Sequence, residues 1–290
     1  MIQKHQEKQV NTIRHQVFFV AFAAFVILYA SFLIGQVLIV KPLSVLDDSA
    51  WKQLIAAYLP FLPVLLSVCV FTHIAEPELF AGFASSGKNG MQGNNTKTAL
   101  GGLFTGFAAI LCCAGPAVLH GDFSLCCHRA SPLFLIIAVA FVLLQSAAEE
   151  LLFRGYVMGA LQERYGLAFA VLVNPLLFML AHSSNSGVSP VSLLTSYTVG
   201  FCLSILLNSL NSIWFAIAAH TGWNYTQNIL LGLPNSGLVP SQSLFRLNSG
   251  AVSSLWYDTV FGMEGSIAPF LFWPVLTSVI ILLLCRSRKQ

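Results

Sequence analysis

Long apolar stretches dominate the chain, and short segments containing charge, Pro or Gly separate them. A bilayer with a hydrocarbon core about 30 Å thick requires about 20 mostly apolar residues in a helix. Eight stretches approach this length: Val17–Val40, Leu54–Ala75, Ala99–Leu119, Ser131–Ala148, Gly166–Ala181, Val188–Leu210, Ser212–Leu233 and Ser266–Cys285. The fourth and fifth are short, and the acidic segment between them is predicted to continue one of them as a helix. We therefore expect an all-α, polytopic transmembrane helix bundle with about eight spans, forming one integral membrane domain over residues 1–290.

Composition supports this interpretation and excludes several classes of protein. Only 9% of the residues are charged and 56% are hydrophobic, whereas about 25% are charged in an ordinary soluble domain. Such a chain has too little polar surface to cover a water-soluble globule. The net charge of +3 is small, which disfavours a disordered chain and a nucleic-acid binder. The predicted partner is the lipid bilayer, and no nucleic acid is expected.

Basic residues predict the orientation of the chain, because cytoplasmic segments carry an excess of Lys and Arg. With the N-terminus inside, ten basic residues are cytoplasmic: Lys4, Lys8, Arg14, Lys88, Lys97, Arg154, Arg164, Arg286, Arg288 and Lys289. Four lie outside: Lys41, Lys52, Arg129 and Arg246. Both termini are therefore predicted to be cytoplasmic, and the first stretch is predicted to be a retained anchor because it is too long for a signal peptide. Compact, nearly charge-free segments favour a prokaryotic plasma membrane over an organelle.

The connections between the stretches offer two further expectations. Ser85–Thr98 is rich in Gly, Asn and Ser and is predicted to be a flexible cytoplasmic loop. Pro234–Gly265 is the longest outer connection, and its Trp256 and Tyr257 are suited to the membrane interface. The seven cysteines have no disulfide or zinc spacing. A cluster in the sequence is compatible with a metal or redox site and with small packing residues near a span end: Cys112, Cys113, Cys126, Cys127 and His128.

Two histidines stand in a region that is otherwise free of ionisable charge. Between Tyr165 and Phe245 there is no Asp, Glu, Lys or Arg, so His182 and His220 are candidates for function. His220 and Asn224 are four residues apart and share a helix face, from which both can donate hydrogen bonds to one developing oxyanion. The pattern also fits a buried pair that bonds a neighbouring helix and, in the case of His182, a histidine at the membrane interface.

Helix geometry separates the two members of the acidic pair Glu149-Glu150. Residues four apart share a face and adjacent ones do not, so Glu150 is predicted to pair with Arg154. Glu149 is then free to project into a cavity as a general base. The alternative is that both glutamates mark a solvated helix end beside the membrane.

Taken together, three motifs in order resemble the CAAX prenyl protease type 2 and bacteriocin-processing family (CPBP, also called ABI) of glutamate-dependent intramembrane proteases. The motifs are Glu149-Glu150 to Arg154, Phe178 to His182, and His220 to Asn224. The resemblance covers a core of about 131–233. It implies that Glu149 and His182 activate a water and that His220 and Asn224 stabilise the oxyanion. Glu150, Arg154 and Phe178 would support the site, which is expected to open toward the cytoplasmic half of the bilayer.

The resulting hypothesis is a metal-free, cofactor-free intramembrane endopeptidase that acts on a membrane-associated protein or peptide. A zinc-dependent membrane protease is the alternative mechanism, since two histidines and a glutamate can hold zinc, but the chain has no His-Glu-x-x-His motif. The sequence is also compatible with a non-catalytic immunity or scaffold protein of the same fold and with a transporter. It shows no internal repeat that would favour the transporter.

Overall fold

The computed structural model describes residues 16–84, 91–128, 130–240 and 242–287, and nearly all of its regular structure is helical. Its helices are α1 Val17–Leu43, α2 Ala50–Ala75, α3 Pro77–Ala84, α4 Thr96–His120, α5 Pro132–Tyr165, α6 Leu167–Ala181, α7 Pro190–Leu210, α8 Ile213–Asn224 and α9 Ala268–Ser287. A two-stranded sheet consists of β1 Leu125–Cys127 and β2 Phe245–Leu247. Seven basic residues of the orientation argument lie outside the described residues: Lys4, Lys8, Arg14, Lys88, Arg129, Arg288 and Lys289.

The predicted all-α, multi-pass architecture is confirmed. Each of the eight predicted stretches contains a helix, and six helices in the described part of the chain are long and apolar enough to cross a membrane, namely α1, α2, α4, α5, α7 and α9. Helix α6 is shorter, and α8 continues as a π-helix over Tyr225–Leu230. The eight-span count and the single domain over 1–290 therefore stay predictions.

Helix α5 explains why the fourth stretch is short and where the acidic segment lies. The helix runs without a break from Pro132 to Tyr165, with a π-helical segment at Leu151–Val157. The acidic segment thus continues the fourth stretch, as expected. Glu149 is near the middle of this helix, about 25 Å from each end at about 1.5 Å per residue. A solvated helix end at Glu149 is therefore wrong, because the helix extends several turns beyond it.

The two ends of the bundle carry different segments. We call one end the sheet face, because β1 pairs there with β2 in antiparallel register, with Leu125 opposite Leu247. Residues 182–189, 231–240 and 242–267 lie at this end, where Leu244 N donates to Ile229 O at 3.0 Å. We call the other end the terminal face, because α1 begins and α9 ends there. At that end Gly93 N donates to Asn211 O at 3.0 Å.

Close packing against α4 fixes the position of α8. A Cβ added at Gly106 would lie 2.0 Å from Ala219 O, and one at Gly222 would lie 2.4 Å from Leu103 O. Only glycine permits this approach of two helix backbones, which is the usual role of small residues between membrane helices. The approach holds α8 with its two candidate residues against the bundle.

The outer connection 234–265 differs from its prediction at Tyr257. The side chain is fully buried and its ring packs 4.6 Å from that of Phe123, so Tyr257 does not expose its ring as an interfacial anchor would. Trp256 is half-buried. The physical reason is that the connection folds back over the bundle, where Val252 N donates to Asp122 O at 2.9 Å. The predicted loop Ser85–Thr98 lies partly outside the described residues, and α4 begins within it at Thr96.

Candidate active site

The charged and imidazole side chains of the three motifs come together at the centre of the bundle. Glu149 Oε2 lies 4.0 Å from His182 Nε2 and 4.0 Å from His220 Nε2. Glu149 lies in α5, His182 directly follows the last residue of α6, and His220 lies in α8. Glu149 Oε2 is buried and has no hydrogen-bond partner among the described residues. The two distances exceed direct hydrogen bonds but fit groups that one water can bridge.

His182 is oriented by its own helix. Its Nδ1 lies 2.9 Å from the carbonyl oxygen of Phe178, which can only accept, so Nδ1 carries the proton. In the neutral ring Nε2 is then an acceptor, and it faces Glu149. The Phe178 ring packs against the imidazole at a centroid distance of 4.4 Å and lies 4.2 Å below the guanidinium of Arg154. Phe178 therefore positions His182 in two ways, since its carbonyl oxygen accepts a hydrogen bond from the imidazole and its ring packs against the imidazole.

Glu150 forms the ion pair that the helix spacing predicts and makes a further contact. Its Oε1 accepts from Arg154 Nη1 at 3.1 Å, and both side chains are fully buried. The same oxygen accepts from His220 Nδ1 at 2.9 Å. This second bond joins α5 to α8 and directs His220 Nε2 toward Glu149. Sequence spacing within one helix could not reveal it.

Gln145 belongs to the site and was not singled out from the sequence. Its Nε2 donates to Glu149 Oε1 at 3.0 Å, and its Oε1 accepts from Asn224 Nδ2 at 3.4 Å. It thereby connects Glu149 to Asn224, and the amide of Asn224 keeps a second N–H. The available signal was a polar residue about one turn before Glu149 on the same helix face.

Replacing Gln145 by Leu is expected to lower the rate of peptide hydrolysis about ten- to hundredfold. It should also cost about 1–3 kcal/mol of stability, because the buried Glu149 carboxylate loses its hydrogen-bond donor. A hydrogen bond to a charged group contributes about 1.5–3 kcal/mol, and here it sets the direction of the Glu149 carboxylate. Gln145→Glu should be at least as harmful, because it places a second carboxylate beside Glu149. Rates of the purified protein in proteoliposomes test this, and an unchanged rate for Gln145→Leu would remove the residue from the site.

A cavity of about 340 Å³ leads away from Glu149 and His182. Its helix residues include the aromatic side chains of Tyr29, which is 44% exposed, Phe32 and Phe61. Its loop residues are uncharged and mostly polar: Ser184, Asn185, Ser186, Asn235, Ser236, Gly237 and Leu238. The expectation that Glu149 projects into a cavity is thus matched by the geometry. These loop residues belong to the sheet face.

A second, smaller cavity lies beside the two imidazoles. It measures about 40 Å³, enough for at least one water, and is lined by His182, His220, Asn224 and Glu264. Glu264 was not singled out from the sequence because it lies in the long outer connection. Its Oε1 accepts from Trp223 Nε1 at 2.7 Å and its Oε2 accepts from Gln227 Nε2 at 2.6 Å.

The Glu264 carboxylate ties this connection to α8. Gln227 Nε2, which donates to Glu264, also donates to Pro234 O at 2.6 Å, so the turn at 234–236 is held beside the residues of α8. Burial raises the pKa of the Glu264 carboxyl above its ordinary value, and the hydrogen bonds from Trp223 and Gln227 oppose that shift. A buried carboxylate with these donors positions the turn that lines both cavities.

The cysteine cluster of the sequence does not form one site. Cys113 is buried in α4, whereas Cys112 is exposed on the same helix and Cys126 and Cys127 are exposed on β1. Within the described ranges, no three His, Cys, Asp or Glu side chains are grouped as a metal site, and all seven cysteines are free thiols. Cys113 is a buried packing residue, and a shared metal or redox site for the five residues has no geometric support.

Comparison with known proteins identifies one region of the chain. Residues 131–226 match the family model described as Rce1-like, type II CAAX prenyl endopeptidase. All three motifs lie inside the matched region, which confirms the family that they predict. No match is found among curated proteins.

Proposed function

We propose that this chain, whose residues 131–226 belong to the Rce1-like family of type II CAAX prenyl endopeptidases, is an intramembrane endopeptidase that hydrolyses a membrane-associated protein or peptide. The supporting observation is the convergence of Glu149, His182 and His220 at 4.0 Å beside a cavity. A carboxylate and two imidazoles with this spacing suit the activation of one water. The proposed location is a prokaryotic plasma membrane.

The first step in the proposed mechanism is attack by water. A water between Glu149 Oε2 and His182 Nε2 gives one proton to the carboxylate, while the imidazole nitrogen accepts its other hydrogen bond. The hydroxide oxygen forms a bond to the carbonyl carbon, and the π electrons of that carbonyl move to its oxygen. Gln145 holds the carboxylate in place through Oε1, which leaves Oε2 available for the proton.

The oxyanion requires donors, and His220 supplies one only in its doubly protonated form. Its Nδ1–H is engaged by Glu150, so donation from Nε2 needs a second proton on the ring. The charges then balance, because Glu149 and Glu150 are matched by Arg154 and the His220 imidazolium. The second N–H of Asn224 is the other proposed donor.

Collapse of the tetrahedral intermediate completes the reaction. The C–N bond breaks, the oxyanion re-forms a carbonyl as a carboxylic acid, and the proton held by Glu149 passes to the leaving amine. Water is consumed and no covalent enzyme intermediate forms. Glu149 returns to the carboxylate, ready for a second water.

Activity is expected to persist in the presence of a strong zinc chelator. Tetrahedral zinc with bonds of about 2.0–2.1 Å sets its ligand atoms about 3.3 Å apart, whereas the Glu149 and imidazole atoms are 4.0 Å apart. The test is hydrolysis by purified protein after dialysis against 1,10-phenanthroline, with metal content measured in parallel. Loss of activity that zinc restores would replace the proposed mechanism by the zinc-dependent one.

A further inference from the structure

Two cavities meet at His182, and they are built largely from different helices. His182 and Ser236 line both of them. The larger cavity, of about 340 Å³, also takes residues of α1 and α2 together with Glu149. The smaller one, of about 40 Å³, takes residues of α7, α8 and α9. In the described part of the chain, these three helices do not line the larger cavity, so the smaller cavity approaches His182 from a separate part of the bundle.

The smaller cavity is polar although it lies among buried residues. Its lining includes Asn224, which is 3% exposed, and Ser196 and Glu264, each 7% exposed. Ser196 Oγ donates its proton to Ser192 O at 2.8 Å, which leaves the lone pairs of the hydroxyl as acceptors. A buried polar cavity of this size is suited to ordered water, which needs two to four polar partners.

The indole of Trp273 provides an independent sign of an occupant. Trp273 lies in α9, lines the smaller cavity and is 1% exposed. Its Nε1 has no hydrogen-bond partner among the described residues. Leaving a buried N–H unpaired costs about 1–3 kcal/mol, and such groups in native proteins bond to protein atoms or to ordered water. A water in the smaller cavity would give this donor a partner.

Hydrolysis inside a bilayer needs a source of water that the substrate does not block. Each turnover consumes one water, and the apolar part of the bilayer supplies none. A polypeptide segment that presents its carbonyl to Glu149 occupies the larger cavity and excludes bulk water from it. The smaller cavity stays clear of this segment, because its walls come from α7, α8 and α9.

We propose that the smaller cavity is a water-binding site that supplies the attacking water while a polypeptide occupies the larger cavity. The supply of water rests on the proposed function, whereas the binding of water is a property of the protein without substrate. In each turnover a water moves past His182 to the position between His182 Nε2 and Glu149 Oε2, where it is deprotonated as in the proposed mechanism. The site refills through the junction at His182 and Ser236 once the products leave.

Filling the smaller cavity with apolar side chains tests the supply of water. Ser196→Leu and Val199→Leu each enlarge a side chain in its wall. Each should lower kcat about tenfold for a peptide whose cleavage depends on Glu149 and change KM less than about twofold, because the peptide binds in the larger cavity. The matched control is Val191→Leu, exposed on the same helix and lining neither cavity, which should leave both constants unchanged.

Unfolding midpoints in detergent show which of these variants are folded. Val199→Leu makes the smaller change in volume and keeps the test decisive if Ser196→Leu does not fold. An unchanged kcat in the folded variants would overturn the supply of water from this cavity.

A second measurement separates this proposal from the proposed function. An electron cryomicroscopy map of the wild-type protein in which ordered waters are visible should show water within hydrogen-bond distance of Trp273 Nε1, and the Ser196→Leu map should not. A dry cavity in the wild type overturns the proposal, and cleavage that depends on Glu149 would still establish the protease. If the water is present but no cleavage depends on Glu149, the protease and the supply role are both lost, while water binding stands.

Discussion

Replacing Glu149 by Gln should reduce peptide hydrolysis by about 10²- to 10⁴-fold, the usual contribution of a general base, while the protein stays folded. Glutamine has the size of glutamate, and its carbonyl oxygen can still accept from Gln145. It cannot take a proton from the water between Glu149 and His182. Stability should change little, because the replaced oxygen Oε2 has no hydrogen-bond partner among the described residues.

The matched control for Glu149→Gln is Glu163→Gln on the same helix. Glu163 is exposed near the terminal face, far from the cavity, so this change should leave hydrolysis at the wild-type rate. Mass spectrometry of membrane-associated peptides that accumulate in cells with each variant measures the effect and names a substrate. Full biological activity of Glu149→Gln would rule out the protease and favour a non-catalytic immunity or scaffold role.

Breaking the buried Glu150–Arg154 pair is the change with the largest expected effect on stability. Glu150→Leu leaves the Arg154 guanidinium in a fully buried position without the Glu150 carboxylate, 3.1 Å away in the native protein. Removal of one partner of a buried ion pair costs about 3–5 kcal/mol, because the survivor is an uncompensated charge. Arg154→Met should cost less, since the His220 imidazolium remains as a partner for Glu150.

A double variant separates the stabilising role of this pair from its role in the site. Glu150→Leu with Arg154→Met removes both charges and should recover most of the lost stability. It should not recover hydrolysis, because His220 Nδ1 has then lost the Glu150 carboxylate that orients the ring and stabilises its doubly protonated form. Unfolding midpoints in detergent and rates in proteoliposomes measure the two effects. Arg164→Met, exposed on the same helix, is the control and should shift stability by less than about 0.5 kcal/mol. Equal stability of Glu150→Leu and wild type would contradict the argument.

The hydrophobic pattern and helix spacing were sufficient for the architecture and for the local pairs. Apolar stretches of membrane length predicted the helices, and the four-residue spacing predicted that Glu150 meets Arg154. That pair is present, at 3.1 Å. These features depend on neighbours along one helix, and the spacing of residues in the sequence gives the helix face on which each side chain lies.

Relations between helices required the tertiary structure. Three hydrogen bonds of the site join segments that are distant in sequence. They run from His220 to Glu150, from Asn224 to Gln145 and from Trp223 of α8 to Glu264. The periodicity of each helix gives the direction of a side chain relative to its own axis but not which helix it meets. The face on which the cavity opens was decided in the same way, by how the outer connection folds back over the bundle. The sequence by itself thus determined a membrane helix bundle, its family and its candidate residues. Packing alone decided which groups these candidate residues contact and how the cavity is reached, because helix contacts depend on shape complementarity between surfaces that are distant in sequence.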